Sequence, residues 1–174
     1  MLQPHCPFVP GGTYFFTLHL QDARADTLVS HVDVLRQSVR LARKRWPFMI
    51  EAAVVLPNVT HMIWTLPAAD MDFSKRWRLI KSTFSRHVPA PAYVPPAQAR
   101  RGEKGIWRRR FWEHRIRDRD DFDFHMRLIR DAPKTKGLVK DAADWPFSSF
   151  TKRHRQAPGQ GAGRFVFEPE QLGA

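Results

Sequence analysis

Hydrophobic and polar residues recur with two different periods along the chain, and the change from one period to the other predicts the order of strands and helices. Residues 14–20 are rich in aromatic and β-favouring side chains and follow a Gly-Gly turn, which predicts a first strand. Apolar residues recur at helical spacing over 26–45 and predict an amphipathic helix. A mostly apolar run over 48–56 and an alternating run over 60–66 predict two strands joined by a turn at Pro57-Asn58.

The second half of the chain follows a similar order, interrupted by a long irregular stretch. A second amphipathic helix is predicted over 73–87, and the proline-rich residues 88–105 predict a loop. Residues 106–116 predict a fourth strand. Residues 120–132 predict a third helix, which we expect to end at Pro133.

The order β-α-β-β-α-β-α is that of a split βαβ unit with one further helix. It predicts an α+β, ferredoxin-like antiparallel sheet with helices on one face and an appended C-terminal helix. We expect a single domain over 1–150, which begins with an irregular arm at 1–12. A basic and then Gly-rich tail is expected over 151–174.

The charge of the chain narrows the class of partner. Among 174 residues, 29 Lys and Arg stand against 17 Asp and Glu, and this formal net charge of +12 favours a polyanion such as nucleic acid. We expect no membrane association, because no apolar run approaches the roughly 18 residues of a spanning helix. A single cysteine, Cys6, excludes an internal disulfide and suits a reducing compartment, so the cytoplasm is the expected location.

The cations are concentrated on two predicted helices and around the fourth predicted strand. Residues 100–119 hold nine Lys or Arg against three acids, with Trp107 and Trp112 among them. Cations mixed with aromatic rings suit neutralisation of a phosphate backbone and stacking of bases. The candidate DNA-binding residues are Arg43, Lys44, Arg45, Lys75, Arg78, Lys81, Arg101, Lys104, Arg108, Arg109, Arg110, Arg115 and Arg117.

The third predicted strand carries a histidine that is a candidate metal ligand. Alternation along the strand places His61 and residue 59 on the same face. A single imidazole binds a metal weakly, so a hydrogen-bonded strand histidine is the competing interpretation. His114 and His125 are possible replacement ligands and Asp131 a possible carboxylate, although a structural role suits each of them as well.

Several short motifs, in this order and at these intervals, resemble the REP-associated tyrosine transposases, a bacterial branch of the HUH single-strand DNA endonucleases. The resemblance covers most of the chain. Each motif is weakly specific alone, and their succession makes the fold assignment specific. The motifs are Pro10–Thr17, Val54–Asn58, Trp77–Lys81, Gly105–Trp107, Arg110–His114, Gly137–Val139 and Asp144–Pro146.

The resemblance implies a chemistry that this chain only partly retains. In the family, a His-x-His pair on the third strand holds Mg²⁺ or Mn²⁺ against a phosphate, and a tyrosine on the last helix attacks that phosphate. His61 matches the second histidine, but Val59 stands at the position of the first. Leu128 matches the tyrosine, and Ala132 matches an asparagine that approaches the metal. We therefore expect no bound cofactor.

Three hypotheses remain open at the level of sequence. The first is a transposase-like protein, monomer or homodimer, that binds single-stranded or hairpin DNA and has lost strand cleavage. The second is an active divergent transposase with another nucleophile, such as a serine or Tyr93, since the chain has only one other tyrosine, Tyr14. The third is a regulatory or interaction protein built on the same scaffold.

Overall fold

A computed structural model describes residues 9–151, so residues 1–8 of the predicted arm and nearly all of the predicted tail lie outside the described residues. Four strands and five α-helices alternate along this part of the chain. In chain order they are β1 (Thr13–His19), α1 (Thr27–Ser30), α2 (Val32–Arg45), β2 (Met49–Val55), β3 (Val59–Thr65), α3 (Phe73–His87), α4 (Pro96–Ala99), β4 (Trp112–Arg115) and α5 (Arg119–Thr135).

The four strands form one antiparallel sheet in the order β2-β3-β1-β4. This is the arrangement that two crossed βαβ units produce, because each crossover inserts the strand of the other unit between its own two strands. The predicted α+β, ferredoxin-like fold is confirmed.

The two faces of the sheet bury different cores. Alternate residues of β1, including Phe16 and Leu18, pack with Trp64, Trp77 and Leu35 beneath α2 and α3. The neighbouring residues of the strands face α5 on the other side, where Phe15, Val54, Ile63 and Ile129 form a second apolar cluster. The crossover helices therefore lie together on one face, and the appended helix covers the other.

Two elements are shorter than the sequence predicts. The helix expected over 26–45 is interrupted at His31, which separates α1 from α2. The strand expected over 106–116 is regular only in β4, because residues 107–111 leave the ladder after a single bridge from Trp107 to Leu20. Aromatic Trp107 and Phe111 at the two ends of this segment favour a strand, but the arginines at 108–110 interrupt the apolar alternation, which explains why the prediction was too long.

The last helix is longer than expected and does not end at Pro133. A proline removes one backbone donor, and α5 continues to Thr135 despite it. The helix ends where Lys136 donates its amide to the Ala132 carbonyl at 3.0 Å and Gly137 adopts a left-handed φ of +70°. The glycine therefore marks the end of α5. In the proline-rich stretch, only the short α4 interrupts the expected loop.

Arg76 is buried, although the amphipathic pattern of α3 placed it on the polar face. Its side chain is 1% exposed and donates to the carbonyls of Trp46, Pro47 and Asp72 at 2.7–3.1 Å. It also pairs with the Asp70 carboxylate at 2.8 Å, and that bond is the main reason why the pKa of Asp70 lies far below its usual range. Arg76 thus joins the start of α3 to the connection between α2 and β2.

Within residues 9–151, none of the helices combines the length and the apolar character needed to cross a membrane.

Candidate nucleic-acid interface and remnant catalytic centre

The face of the sheet covered by α5 carries the histidine that sequence reasoning singled out. Thr17 lies directly opposite His61 in the β1–β3 ladder, and the Thr17 hydroxyl is 2.8 Å from His61 Nδ1. The ring also stacks on Phe15, with 5.7 Å between centroids. Burial, together with the nearby charges of His19 and Lys136, lowers the pKa of His61 to about 4. At neutral pH the imidazole is therefore uncharged.

The three emptied positions of the motif come together next to this histidine. Val59 and Ala132 are 2% and 7% exposed and belong to one apolar cluster with Ile129. Leu128 packs against the same cluster. Val59 and Ala132 thus belong to the same apolar cluster and Leu128 packs against it, so all three present hydrocarbon on this side of the sheet.

A histidine that the sequence analysis did not select lies beside this apolar centre. His19 at the end of β1 stands directly opposite Val59, on the same sheet face as His61. Burial and the charges of Arg108 and Lys136 lower the pKa of His19. Only the antiparallel register reveals this neighbour, because residues 19 and 59 are far apart in the chain.

His114 and His125, the possible replacement ligands, meet at Asp121 instead of at His61. His114 Nε2 is 2.9 Å from one carboxylate oxygen of Asp121, and His125 Nδ1 is 3.1 Å from the other. Two imidazoles and a carboxylate are a donor set that a divalent transition metal accepts. His125 Nδ1 lies closer still, at 2.8 Å, to the backbone carbonyl of Asp121, so this nitrogen already has a partner. The Phe15 ring is tilted against His125 and stacked with His61.

The Asp121 carboxylate is a strong acceptor for several donors at once. Burial alone would raise its pKa, but hydrogen bonds from His114 and from both the amide and side chain of Arg117 outweigh that effect and lower the pKa to about 2. Ionised Asp121 therefore ties the start of α5 to β4. Within the described residues we interpret this group as a structural tie of the helix.

The other residues that the sequence offered as a possible metal ligand or nucleophile lie away from His61. Asp131 is held by its neighbour Arg130 through two hydrogen bonds of 2.8 and 3.0 Å. The Tyr14 hydroxyl accepts a hydrogen bond from the Val9 amide at 2.8 Å. Tyr93 is 70% exposed and lines a cavity with Leu20, whose side chain belongs to the core beneath α2 and α3. This location, across the sheet from His61, gives no support to Tyr93 as a replacement nucleophile.

A cationic groove lies between α3 and residues 102–111 and has a volume of about 810 Å³. Lys81 crosses it, donating to the Arg108 carbonyl at 2.9 Å with its ammonium 6.0 Å from the Trp107 ring. Burial lowers the pKa of Lys81. The cations that line the groove are Arg78, Lys81, Arg86, Lys104 and Arg109, and the single acid is Glu103. The aromatic rings of Trp77, Trp107 and Phe111 complete the lining.

The structure places the predicted DNA-binding cations in several different settings. Four of them, Arg78, Lys81, Lys104 and Arg109, line the cationic groove, and Arg86 joins them although it was not selected. Others take part in ion pairs within the chain, as Lys75 does with Asp70, Arg101 with Glu103 and Arg117 with Asp121. Arg43, Lys44 and Arg45 form the basic last turn of α2, outside the groove lining.

Comparison with known proteins identifies relatives of this chain. A REP-associated tyrosine transposase of Escherichia coli (strain K12) is 41% identical over 143 residues, which are 82% of this chain and 79% of that protein. A protein of Haemophilus influenzae (strain ATCC 51907 / DSM 11121 / KW20 / Rd) that carries the same family name is 35% identical over 144 residues, 82% of each. The search against family models found no match.

A solved structure extends the similarity to three dimensions. It shows a REP-associated tyrosine transposase bound to a REP hairpin, and its TM-score is 0.75 at 36% identity, covering 100% of this chain and 94% of that one. The ordered motifs, the ferredoxin-like sheet and these relatives agree. This chain therefore belongs to the REP-associated tyrosine transposase family.

Proposed function

We propose that this protein binds single-stranded or hairpin DNA as a transposase-like protein and does not cleave it. The location of the three substitutions carries the proposal. Val59 and Ala132 belong to one apolar cluster and Leu128 packs against it, so apolar side chains stand in one part of the fold at the three positions where the family has a metal ligand, a nucleophile and a polar helix residue. Three unrelated surface changes would have no reason to coincide in this way.

The residues around His61 do not fit the Mg²⁺ or Mn²⁺ of the family. These hard cations prefer oxygen ligands, and transition metals need more than one strong protein donor for useful affinity. Around His61, Val59 and Ala132 present only hydrocarbon, and Lys136 and Arg108 place positive charge nearby.

DNA binding itself is supported by the cationic groove and by the relative that was solved with a REP hairpin. Its five cations suit consecutive phosphates, and the partly buried ring of Phe111 offers apolar surface beside them, whereas Trp107 belongs to the core. We place the first contact between the protein and a single-stranded segment in this groove.

The decisive experiment incubates the protein with hairpin DNA and Mn²⁺ and separates the products on a denaturing gel. We expect a complex on a native gel, with neither a covalent protein–DNA adduct nor a cleaved strand on the denaturing gel. A covalent adduct would show that an unrecognised nucleophile acts, and would overturn the loss of cleavage. If the protein does not bind this hairpin at physiological salt, the result would favour a regulatory or interaction protein that does not bind DNA.

The groove has its own test with a matched control. Arg78→Gln and Arg109→Gln should each weaken binding of a single-stranded oligonucleotide about fivefold, and each should lower the slope of log K against log salt by about 0.7. Arg127→Gln removes the same charge from an exposed position on α5 and should leave both quantities unchanged. Equal effects of all three variants would show that net charge, and not the groove, governs binding.

A further inference from the structure

We infer that a cavity beside Tyr93 takes one unstacked nucleobase of a DNA strand whose backbone follows the cationic groove. The inference rests on the proposed DNA binding and adds a place that holds a base and not a phosphate. Tyr93 is 70% exposed, so the face of its ring is available for stacking.

The cavity lies between the end of β1 and the proline-rich loop, and its volume is about 540 Å³. Cavities of this size hold small molecules. Leu20 and Ile106, both buried, belong to its lining together with the exposed Tyr93. An apolar wall beside an exposed aromatic ring suits a flat ring that stacks.

The charges around the cavity favour a neutral ligand. Asp22 and Arg24 bring one negative and one positive charge to the lining, with Arg24 Nε 3.8 Å from Asp22 Oδ1. The cavity therefore lacks the excess of cations that the neighbouring groove has. Phosphates are attracted to the groove, whereas an uncharged base has no such preference and gains from the apolar wall.

The lining also offers hydrogen-bonding groups of both kinds. Gln21 and Thr27 can each donate and accept, and Asp22 accepts. The Oδ1 atom of Asp22 already accepts the Arg24 amide at 2.9 Å, but the Asp22 side chain is 54% exposed and carries a second oxygen. Every nucleobase presents donors or acceptors along its edge, so these side chains can pair with it.

His31, at the junction of α1 and α2, is a reporter for the cavity that it lines. Its backbone is held, because its amide donates to the Thr27 carbonyl and its carbonyl accepts the Leu35 amide, both at 3.1 Å. The ring is held less firmly, since Nδ1 is buried and has no hydrogen-bond partner within residues 9–151. The imidazole can therefore turn towards a ligand, and its NMR signals should respond to a bound base.

The cavity and the cationic groove share a wall, because Gly105 and Ile106 line both. The chain is tightly packed here. Gly105 has a φ of +72°, and a Cβ at this position would lie 2.9 Å from a methyl carbon of Val94. The Ile106 carbonyl accepts the Gln21 amide at 2.8 Å, which ties the wall to the end of β1. A strand with its phosphates in the groove can thus turn one base across this wall.

The test compares a mixed-sequence 12-mer that cannot pair with itself and the same 12-mer built from abasic nucleotides. Tyr93→Ala should weaken binding of the base-bearing 12-mer about tenfold, because it removes a stacking surface, and should leave binding of the abasic 12-mer unchanged. Arg78→Gln, in the groove, should weaken both. Phe124→Ala is the matched control, since it removes another exposed aromatic ring, on α5, and should change neither.

A second measurement does not depend on binding of a DNA strand. The four deoxynucleosides, which carry no phosphate, are added separately to protein labelled at histidine. We expect at least one of them to shift the His31 imidazole signals saturably while the signals of His114, beneath α5, stay in place. Tyr93→Ala should weaken this response.

The outcomes separate this inference from the proposed function. If the base-bearing 12-mer binds and Tyr93→Ala has the same effect on both oligonucleotides, the base site is wrong and DNA binding stands. If neither oligonucleotide binds while a deoxynucleoside shifts the His31 signals, the base site stands and the proposed function falls. If no oligonucleotide binds and no deoxynucleoside moves these signals, both are overturned.

Discussion

His61 retains the contacts that orient a ligand although the residues that would share its chemistry are apolar. Thr17 engages Nδ1 and Phe15 holds the ring plane, as an outer shell does for a metal-binding histidine. Side chains that orient a group also stabilise the fold, so they persist for packing reasons after the reaction is lost. A surviving histidine is therefore weak evidence for a surviving metal site.

The neutral state of His61 has a consequence for stability in acid. Its pKa is about 4 in the fold against 6.5 in the unfolded chain, so between these values the unfolded chain binds more protons. The free energy by which neutral His61 stabilises the fold is fully present above pH 6.5 and is lost as the pH falls towards 4. The loss is at most on the order of 3 kcal/mol, since one pKa unit corresponds to about 1.4 kcal/mol.

Urea unfolding at pH 7 and at pH 5 measures this loss. His61→Gln should lose less stability between the two pH values than the wild-type protein, because glutamine does not titrate. Part of the loss should remain in the variant, because burial also lowers the pKa of His19. If the variant loses as much stability as the wild type, proton binding by His61 does not contribute to the pH dependence of stability.

On the scale of elements, α3 carries two arginines two positions apart with opposite roles. Arg76 is buried against backbone carbonyls, and Arg78 is exposed in the lining of the cationic groove. Arg76→Met should cost about 3 kcal/mol or more, because it leaves carbonyl groups and the partner carboxylate without their donor. Arg78→Met should leave the free energy of unfolding unchanged and weaken DNA binding. Urea unfolding and oligonucleotide titration of both variants check this, and equal destabilisation would contradict it.

Helix α5 depends on the tie between Asp121 and its partners. Asp121→Asn should destabilise the protein by about 2 kcal/mol, because it weakens the charge-assisted hydrogen bonds that the carboxylate accepts from His114 and from the amide and side chain of Arg117. Amide exchange should accelerate at the start of α5 more than in α3. EDTA should leave the melting temperature of the wild-type protein unchanged. A drop with EDTA as large as that of the substitution would show that a metal ion makes the tie.

These elements also show which features of the structure could be predicted from the sequence and which could not. The strong 3.6-residue period of α3 predicted its bounds correctly, because that signal is local. The end of α5 was wrong because the cost of Pro133 was outweighed by packing of the helix against β2 and β3, and Gly137 supplies the actual stop. Residues 59, 128 and 132 were selected from the family motif, whereas His19 comes to lie beside residue 59 only through strand register.

At the scale of the molecule, the emptied centre and the cationic groove lie on opposite sides of the sheet. The centre is beneath α5, and the groove lies beside α3. Residues 107–111 connect the two, because Arg108 adjoins His19 and Arg109 lines the groove. A change at one place therefore leaves the other surface intact, as the proposed DNA binding without cleavage requires.

Restoring the family residues tests whether only the chemistry has been lost. Val59→His alone should destabilise the protein by about 1–3 kcal/mol, because it places a polar ring in an apolar cluster. Combined with Leu128→Tyr and Ala132→Asn, it provides partners for that ring, and Mn²⁺ should then broaden the His61 NMR signals. Adding Lys136→Met should tighten Mn²⁺ binding further, because it removes a positive charge that acts on His61. If Mn²⁺ leaves the fourfold variant unaffected although it is folded, the surrounding backbone has also departed from the geometry that a metal needs.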